Sequence, residues 1–315
     1  MRLAIGRRDL VNSMRMRGVT LIALPLAIAG VATGVWFEPT CTVQGWARGE
    51  QFFQGRPSRW WGKKLLSDEP ADQAEYPKRL QEGGPASVAV LTELMRAPEA
   101  ELRWQAAGIL GKLGHDAKPA APTLVSLLSD PDLHVRTVAA QSLGEIHPND
   151  NAVIAGLVSR LGTDDRRLVI RPLSSFKGAA VAAVPGLIAI LQNDSDATMR
   201  WEAARTLGKI GPGARDALPE LMRATKDRDA LVREHAAEAI GDIGPEAAEG
   251  VPALVVALGD SEAKVRRDAV RSLGQIGPAA KSALPQVEKL LNDPETIVRD
   301  AAKTAIRRID PAKAK

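Results

Sequence analysis

The chain has 315 residues, 45% of them hydrophobic and 25% charged, which is enough apolar material to bury a core in one large or two smaller domains. Aromatic residues make up only 3%, with a single Tyr, so the interior must be built from small aliphatic side chains, which suits packed helices better than sheets. The formal charge is +4, of which residues 1–17 carry +4 and residues 38–64 carry +3, leaving −3 for the remainder and no electrostatic case for nucleic acid.

The N-terminus opens with Arg2, Arg7, Arg8, Arg15 and Arg17 against Asp9, a basic region expected on the cytoplasmic side. Residues 18–37 come next as a transmembrane anchor or signal segment. Its uncharged part, Val19 to Phe37, is close to the ~20 residues a helix needs to cross a bilayer. Two readings stay open. An anchor uses the whole length, with Trp36 and Phe37 at the interface, and holds the protein in the membrane with its repeats outside the cytoplasm. A signal peptide would break at Pro25 and be cut after the Ala27, Ile28, Ala29 site, releasing a secreted or periplasmic protein. Cys41 comes after Glu38, Pro39 and Thr40 rather than small apolar residues, which disfavours a lipoprotein. As the one cysteine, it excludes an intramolecular disulfide and a metal site built on several thiolates.

Residues 38–74 read as a spacer with one short aromatic helix in RWWGKKLL, where Trp60, Trp61, Leu65 and Leu66 are placed to cover the open end of the domain that begins at residue 75.

From residue 75 to 315 the chain repeats itself. DPDLHVRTVAAQSLGEIHP from Asp130, DSDATMRWEAARTLGKIGP from Asp194, DRDALVREHAAEAIGDIGP from Asp227, DSEAKVRRDAVRSLGQIGP from Asp260 and DPETIVRDAAKTAIRRIDP from Asp293 align without a gap. Their marker arginines include Arg103 and Arg136, then Arg200, Arg233, Arg266 and Arg299, with a spacing of 33 within each of these two runs. Apolar residues stand one before the arginine and three, seven and ten after it, as in Met199, Ala203, Leu207 and Ile210. Those steps mark one face of a helix, here termed helix A.

The Asp six residues before the arginine is the expected N-cap, with Pro131 and Pro294 just inside. Gly-Pro pairs such as Gly211 and Pro212 end the helix. A second proline, at Pro122, Pro219, Pro252 and Pro285, opens helix B. Two helices of about 14 and about 11 residues, each apolar on one side, must stack on neighbours. Leu-Gly pairs, Leu110 with Gly111, Leu143 with Gly144, Leu207 with Gly208 and Leu273 with Gly274, supply bulk and close approach at one contact.

These residues resemble the HEAT-like repeats first associated with phycobilisome lyases, over about Gly84 to Ile309. The resemblance implies an all-α fold, an α-solenoid of stacked two-helix repeats, in which Asp and Arg of the marker sequence form a structural ladder between units. The third unit departs from it. Asp165 and Arg171 keep the six-residue step but leave 14 residues to Pro185, whereas Arg166 restores 19 and loses the Asp. With Pro172 inside its helix, this unit should be short or bent.

Chemistry is sparse. His115, His134, His147 and His235 fall at no metal-ligand spacing on one helix face. The His-Glu pairs of the HEAT-like deoxyhypusine hydroxylases are not matched, since one unit has Glu234 and His235 in reverse order. No nucleophile elbow, Walker loop or dinucleotide fingerprint is present. The expectation is a non-catalytic, membrane-tethered scaffold for an unidentified protein partner, with no cofactor, metal or small-molecule substrate. The alternative is an enzyme or enzyme subunit of the bilin lyase kind. Two sets of residues are candidates for contact. The position four after the helix B proline should face outward, giving Ser126, Ser159, Ala189, Arg223, Val256 and Lys289. The resemblance implies that helix B lines the concave side, which would make this row a groove. Trp104 and Trp201, one residue after marker arginines, point away from the helix A core stripe, either into an interface or flat over a neighbouring helix.

Overall fold

The computed structural model describes residues 41–148 and 150–314. The basic region and the Val19–Phe37 segment lie outside them. Among the described residues no helix is long and apolar enough to cross a membrane.

The described chain starts with α1 (Thr42–Ala47), a hairpin of β1 (Phe52–Phe53) and β2 (Arg56–Pro57), α2 (Ser58–Leu65) and α3 (Pro70–Glu82). Aromatic side chains hold this end together. Trp61 is 1% exposed, donates its Nε1–H to the Phe53 carbonyl at 3.1 Å, and packs against Trp60 and Phe53 with ring centroids 5.2 Å apart in both cases. Leu65 is buried with it, while Leu66 stays out. The hairpin turn needs left-handed backbone, which Gln54 and Gly55 supply with φ of 49° and 69°. The expected spacer boundary at residue 74 falls inside α3. That helix packs on α5 (Ala100–Leu113) as the first member of the A row, although it carries no marker arginine.

After α4 (Val88–Leu94) the elements alternate. The A row continues from α5 through α7 (Leu133–Ile146), α9 (Arg166–Ser175), α11 (Ala197–Ile210), α13 (Ala230–Ile243), α15 (Ala263–Ile276) and α17 (Thr296–Ile309). The B row is α4, α6 (Ala121–Leu127), α8 (Asn151–Val158), α10 (Val184–Asn193), α12 (Leu218–Ala224), α14 (Val251–Ala257) and α16 (Leu284–Lys289). Packed pairs run between successive units, the arrangement of a solenoid. The apolar stripe forms its core as the spacing predicts. Met199, Ala203, Leu207 and Ile210 are at most 3% exposed, and Val232, Ala236, Ile240 and Ile243 are fully buried.

Two local details differ from the sequence reading. The Asp six before the arginine is not the helix A cap. Asp132, Asp196 and Asp229, two residues later, hold the cap and accept backbone N–H bonds from the first turn, so Pro131 and Pro294 precede the helices rather than opening them. Helix B is also shorter than about 11 residues. In α6, α12 and α14 only 7 residues are α-helical, because the 7 before them wind as a tighter 3₁₀ segment. Buried alanines, such as Ala214 and Ala217, let that segment lie close against the core. At the end of helix A, Gly211, Gly244 and Gly277 adopt φ of 72°, 86° and 75°, where a side chain would strain the turn into it.

Candidate functional site

The ladder between units is built from the marker arginines. Arg200 donates from Nε and Nη2 to both carboxylate oxygens of Asp227 at 2.9 Å, and Arg233 does the same to Asp260 at 2.8 and 3.0 Å. Arg103 with Asp130 and Arg266 with Asp293 repeat the pattern 27 residues apart. The third nitrogen of each arginine closes its own unit, as when Arg233 Nη1 donates to the Asp227 carbonyl at 3.0 Å. Each aspartate also accepts the N–H two residues on, for example Asp229 N to Asp227 Oδ1 at 2.8 Å. Burial works to raise the Asp130, Asp194, Asp227 and Asp260 carboxyls, but the guanidinium bond, the backbone N–H and the positive charge outweigh it and hold all four below the usual range. At Asp293 the bond from Arg266 is the leading cause of the same lowering. All of this is structural.

The third unit keeps the ladder by shifting it. Arg136 reaches Asp165 at 3.1 Å, 29 residues on, and Arg166 reaches Asp194 at 2.7 Å, 28 residues on. Arg166 is therefore the marker, and Arg171 turns instead to the buried Glu202 at 2.7 Å. The unit is short as expected, with 10 residues in α9 against 14 in α11, and Pro172 inside it packs on Gly144 of α7.

The two rows pack in different ways. A Cβ placed on Gly208 would lie 3.0 Å from the Ala239 Cα, and one on Gly274 would lie 3.0 Å from the Ala305 Cα, so the A helices meet backbone to backbone. Ser142 and Ser272 add hydroxyl bonds of 2.8 Å to the carbonyls of Ala107 and Ala237 across the same joints. In the B row, Gly156 meets the Val125 side chain and Gly186 meets that of Leu161. The A helices, packed at backbone distance, form one row, termed here the inner row, and the B helices form the outer row.

The sequence-derived residues divide accordingly. Ser126, Ser159, Ala189, Arg223, Val256 and Lys289 are all exposed, but on the outer B row. There Ser126 and Ser159 donate to the carbonyls of Thr123 and Gly156, and Arg223 pairs with Glu220. Trp104 and Trp201 are half-buried on the inner row. Each ring meets a histidine of the next A helix: Trp104 stands edge-on to His134 at 4.9 Å, and Trp201 stacks on His235 at 5.1 Å. His235 Nδ1 lies 3.0 Å from Glu238 Oε2, and that contact leads in holding the Glu238 carboxyl below its ordinary value. Asp242, one turn on, is pushed up by burial while it accepts from Gln275 at 3.1 Å.

At the N-terminal end of the inner face, α3, α5 and α7 enclose a groove of about 610 Å³. Trp104 and His134 line it, together with Glu101, Gln105, Gln141 and Glu145. Sequence reasoning missed these last four. They recur at the marker positions two before and two, five and nine after the arginine, off the apolar stripe, but the groove also needs α3, which the period does not reach. No group of three or more His, Cys, Asp or Glu side chains placed to hold a metal occurs among the described residues.

Sequence comparison places this architecture. The family described as HEAT repeats matches residues 85–174, 184–249 and 247–307. The chain belongs to the HEAT-repeat family. No curated protein matches the HEAT-repeat chain. Among solved structures, importin beta is similar with a TM-score of 0.54 at 14% identity over 82% of this chain and 41% of that one, a likeness of fold. An engineered protein is 22% identical over 74% of this chain and 97% of its own, with a TM-score of 0.41. Human deoxyhypusine hydroxylase in complex with glycerol is 22% identical over 81% and 96%, with a TM-score of 0.34. The chain thus spans less than half of the importin and nearly all of the other two.

Proposed function

We propose that this HEAT-repeat chain is a non-catalytic, membrane-tethered scaffold that binds a partner protein on its inner face. The supporting observation is the inner row itself, where half-buried Trp104 lines a groove with polar walls and half-buried Trp201 repeats the aromatic position further along, the composition of a contact surface rather than of a core. Tethering rests on the uncharged Val19–Phe37 segment and the arginines before it, which would place the repeats outside the cytoplasm. The marker sequences keep the look of phycobilisome lyase-type repeats, but a repeat shared with many scaffolds carries no lyase chemistry with it.

A photo-crosslinking residue placed at Gln141 on the inner row or at Ser126 on the outer row, in native membranes, tests the reading. A defined adduct from Gln141 and none from Ser126 is expected. Adducts from Ser126 alone would move the binding face to the B row, and a bound chromophore in the purified protein would favour the enzyme class. Protease added to intact spheroplasts should digest the repeats.

A further inference from the structure

The wall of the N-terminal groove has a consistent chemical sense. Three of its glutamines are tied back by their nitrogens. Gln105 Nε2 donates to the Leu65 carbonyl at 3.3 Å and to Glu101 Oε1 at 3.1 Å, Gln141 Nε2 donates to Glu145 Oε1 at 2.9 Å, and Gln73 Nε2 donates to the Ser67 carbonyl at 3.1 Å. Carbonyl and carboxylate oxygens only accept, so these contacts fix which end of each amide is nitrogen. Among the described residues the amide oxygens accept no hydrogen bond, and Glu101 and Glu145 add their carboxylates to the same wall. Lys112 is the one fixed cation in the lining. With Glu101 and Glu145 against Lys112, the wall has a negative balance. The floor between is apolar, from Leu65, Pro77, Ile109 and Val138, and Trp104 adds an aromatic surface suited to a cation.

Given the scaffold reading, on which this rests, we infer that the groove docks an extended segment of the partner that carries lysine or arginine. Such a segment supplies N–H donors to the unbonded amide oxygens and positive charge to Glu101 and Glu145, together with the apolar side chains that the floor needs. A small polyamine would satisfy the acceptors and leave the floor bare, and an acidic segment would meet carboxylates and unpaired acceptor oxygens.

The test is fluorescence anisotropy with full-length protein in detergent. The probe is a labelled eight-residue peptide alternating arginine and lysine with leucine, compared with its glutamate counterpart and with spermidine as competitor. The basic peptide should bind and the acidic one should not. Glu101→Gln combined with Glu145→Gln should weaken binding about tenfold, and Trp104→Ala about fivefold. Glu246→Gln, which removes the same charge from an exposed turn far along the array, should leave affinity unchanged. Circular dichroism of each variant checks that the helices persist. Equal affinity for the acidic peptide, an unaltered Kd in the double variant, or an equal loss in Glu246→Gln would overturn the inference. So would spermidine binding more tightly than the peptide, which would make this a small-cation site. If the peptide fails while crosslinks from Gln141 persist, the partner class is wrong and the scaffold stands. Loss of both removes the scaffold reading as well.

Discussion

The stack from α11 to α17 and the unit of α8 and α9 solve the same joining problem by different means. In the regular stack every A helix has 14 residues and each ladder pair is 27 residues apart with two guanidinium bonds. In the irregular unit α9 has lost a turn, a proline stands inside it, and the pairs on either side are 29 and 28 residues apart. The ladder nevertheless runs through. The Arg–Asp contact is specified in space, by where a carboxylate can meet the preceding guanidinium, and the chain finds the nearest aspartate that reaches.

The largest expected difference lies in the core. Leu207→Ala or Leu273→Ala removes a fully buried side chain between helices in backbone contact, where nothing can close the gap, and should cost about 2 to 5 kcal/mol in denaturant melts. Leu173→Ala in α9, equally buried, should cost less because the shorter helix carries fewer neighbouring turns to lose contact with it. Equal losses at the two sites would remove the distinction between tight and relaxed units. A smaller effect belongs to the ladder. Asp260→Ala strips two charge-assisted bonds and the backbone N–H bond from Glu262, and should cost about 1.5 to 3 kcal/mol. Asp165→Ala, whose pair with Arg136 is about a fifth exposed on both sides, should stay within about 1 kcal/mol.

Acid sharpens the same comparison. The lowered carboxyls of Asp130, Asp194, Asp227, Asp260 and Asp293 give stability that is fully present above the unfolded carboxyl pKa of about 4 and is lost as pH falls through their folded values. Melting temperature should therefore drop steeply below pH 4, and by less in Asp260→Ala than in the parent. A parallel drop in both would show that the ladder does not govern acid unfolding. The smallest effect has the opposite sign. Asp242 is raised, so its ionised form costs stability at neutral pH, and Asp242→Asn, which can still accept from Gln275, should raise the melting temperature slightly at pH 7 and leave it unchanged where the parent is protonated.

Much of the array was legible because its signals are local and repeated. The core stripe, the glycine that ends helix A and the proline that opens helix B each recur, and each has a steric cause that one sequence displays. The cap was misplaced because Asp130 and Asp132, Asp194 and Asp196, and Asp227 and Asp229 stand in pairs near their helix starts, and only the ladder shows that the first is drawn away by the preceding unit's arginine. Arg166 and Arg171 stayed ambiguous for the same reason, since spacing cannot show that Arg171 is occupied by Glu202. The close packing of the A row was not legible because row spacing depends on what meets across a joint. Glycine against alanine in the A row and glycine against valine or leucine in the B row differ by side chains contributed from another unit.

Neighbour-only stacking also sets how the molecule responds to load. If the tether and the partner proposed above hold its two ends, the array is a chain of hinges in series, and a series yields first at its weakest joint. The unit that departs from the repeat is α9, with its interior proline and ladder pairs 29 and 28 residues apart on its two sides. Tension would extend the array there while the stack from α11 to α17 and the aromatic knot around Trp61 stay closed, so the two ends of the solenoid behave as stiff plates on either side of a compliant spring.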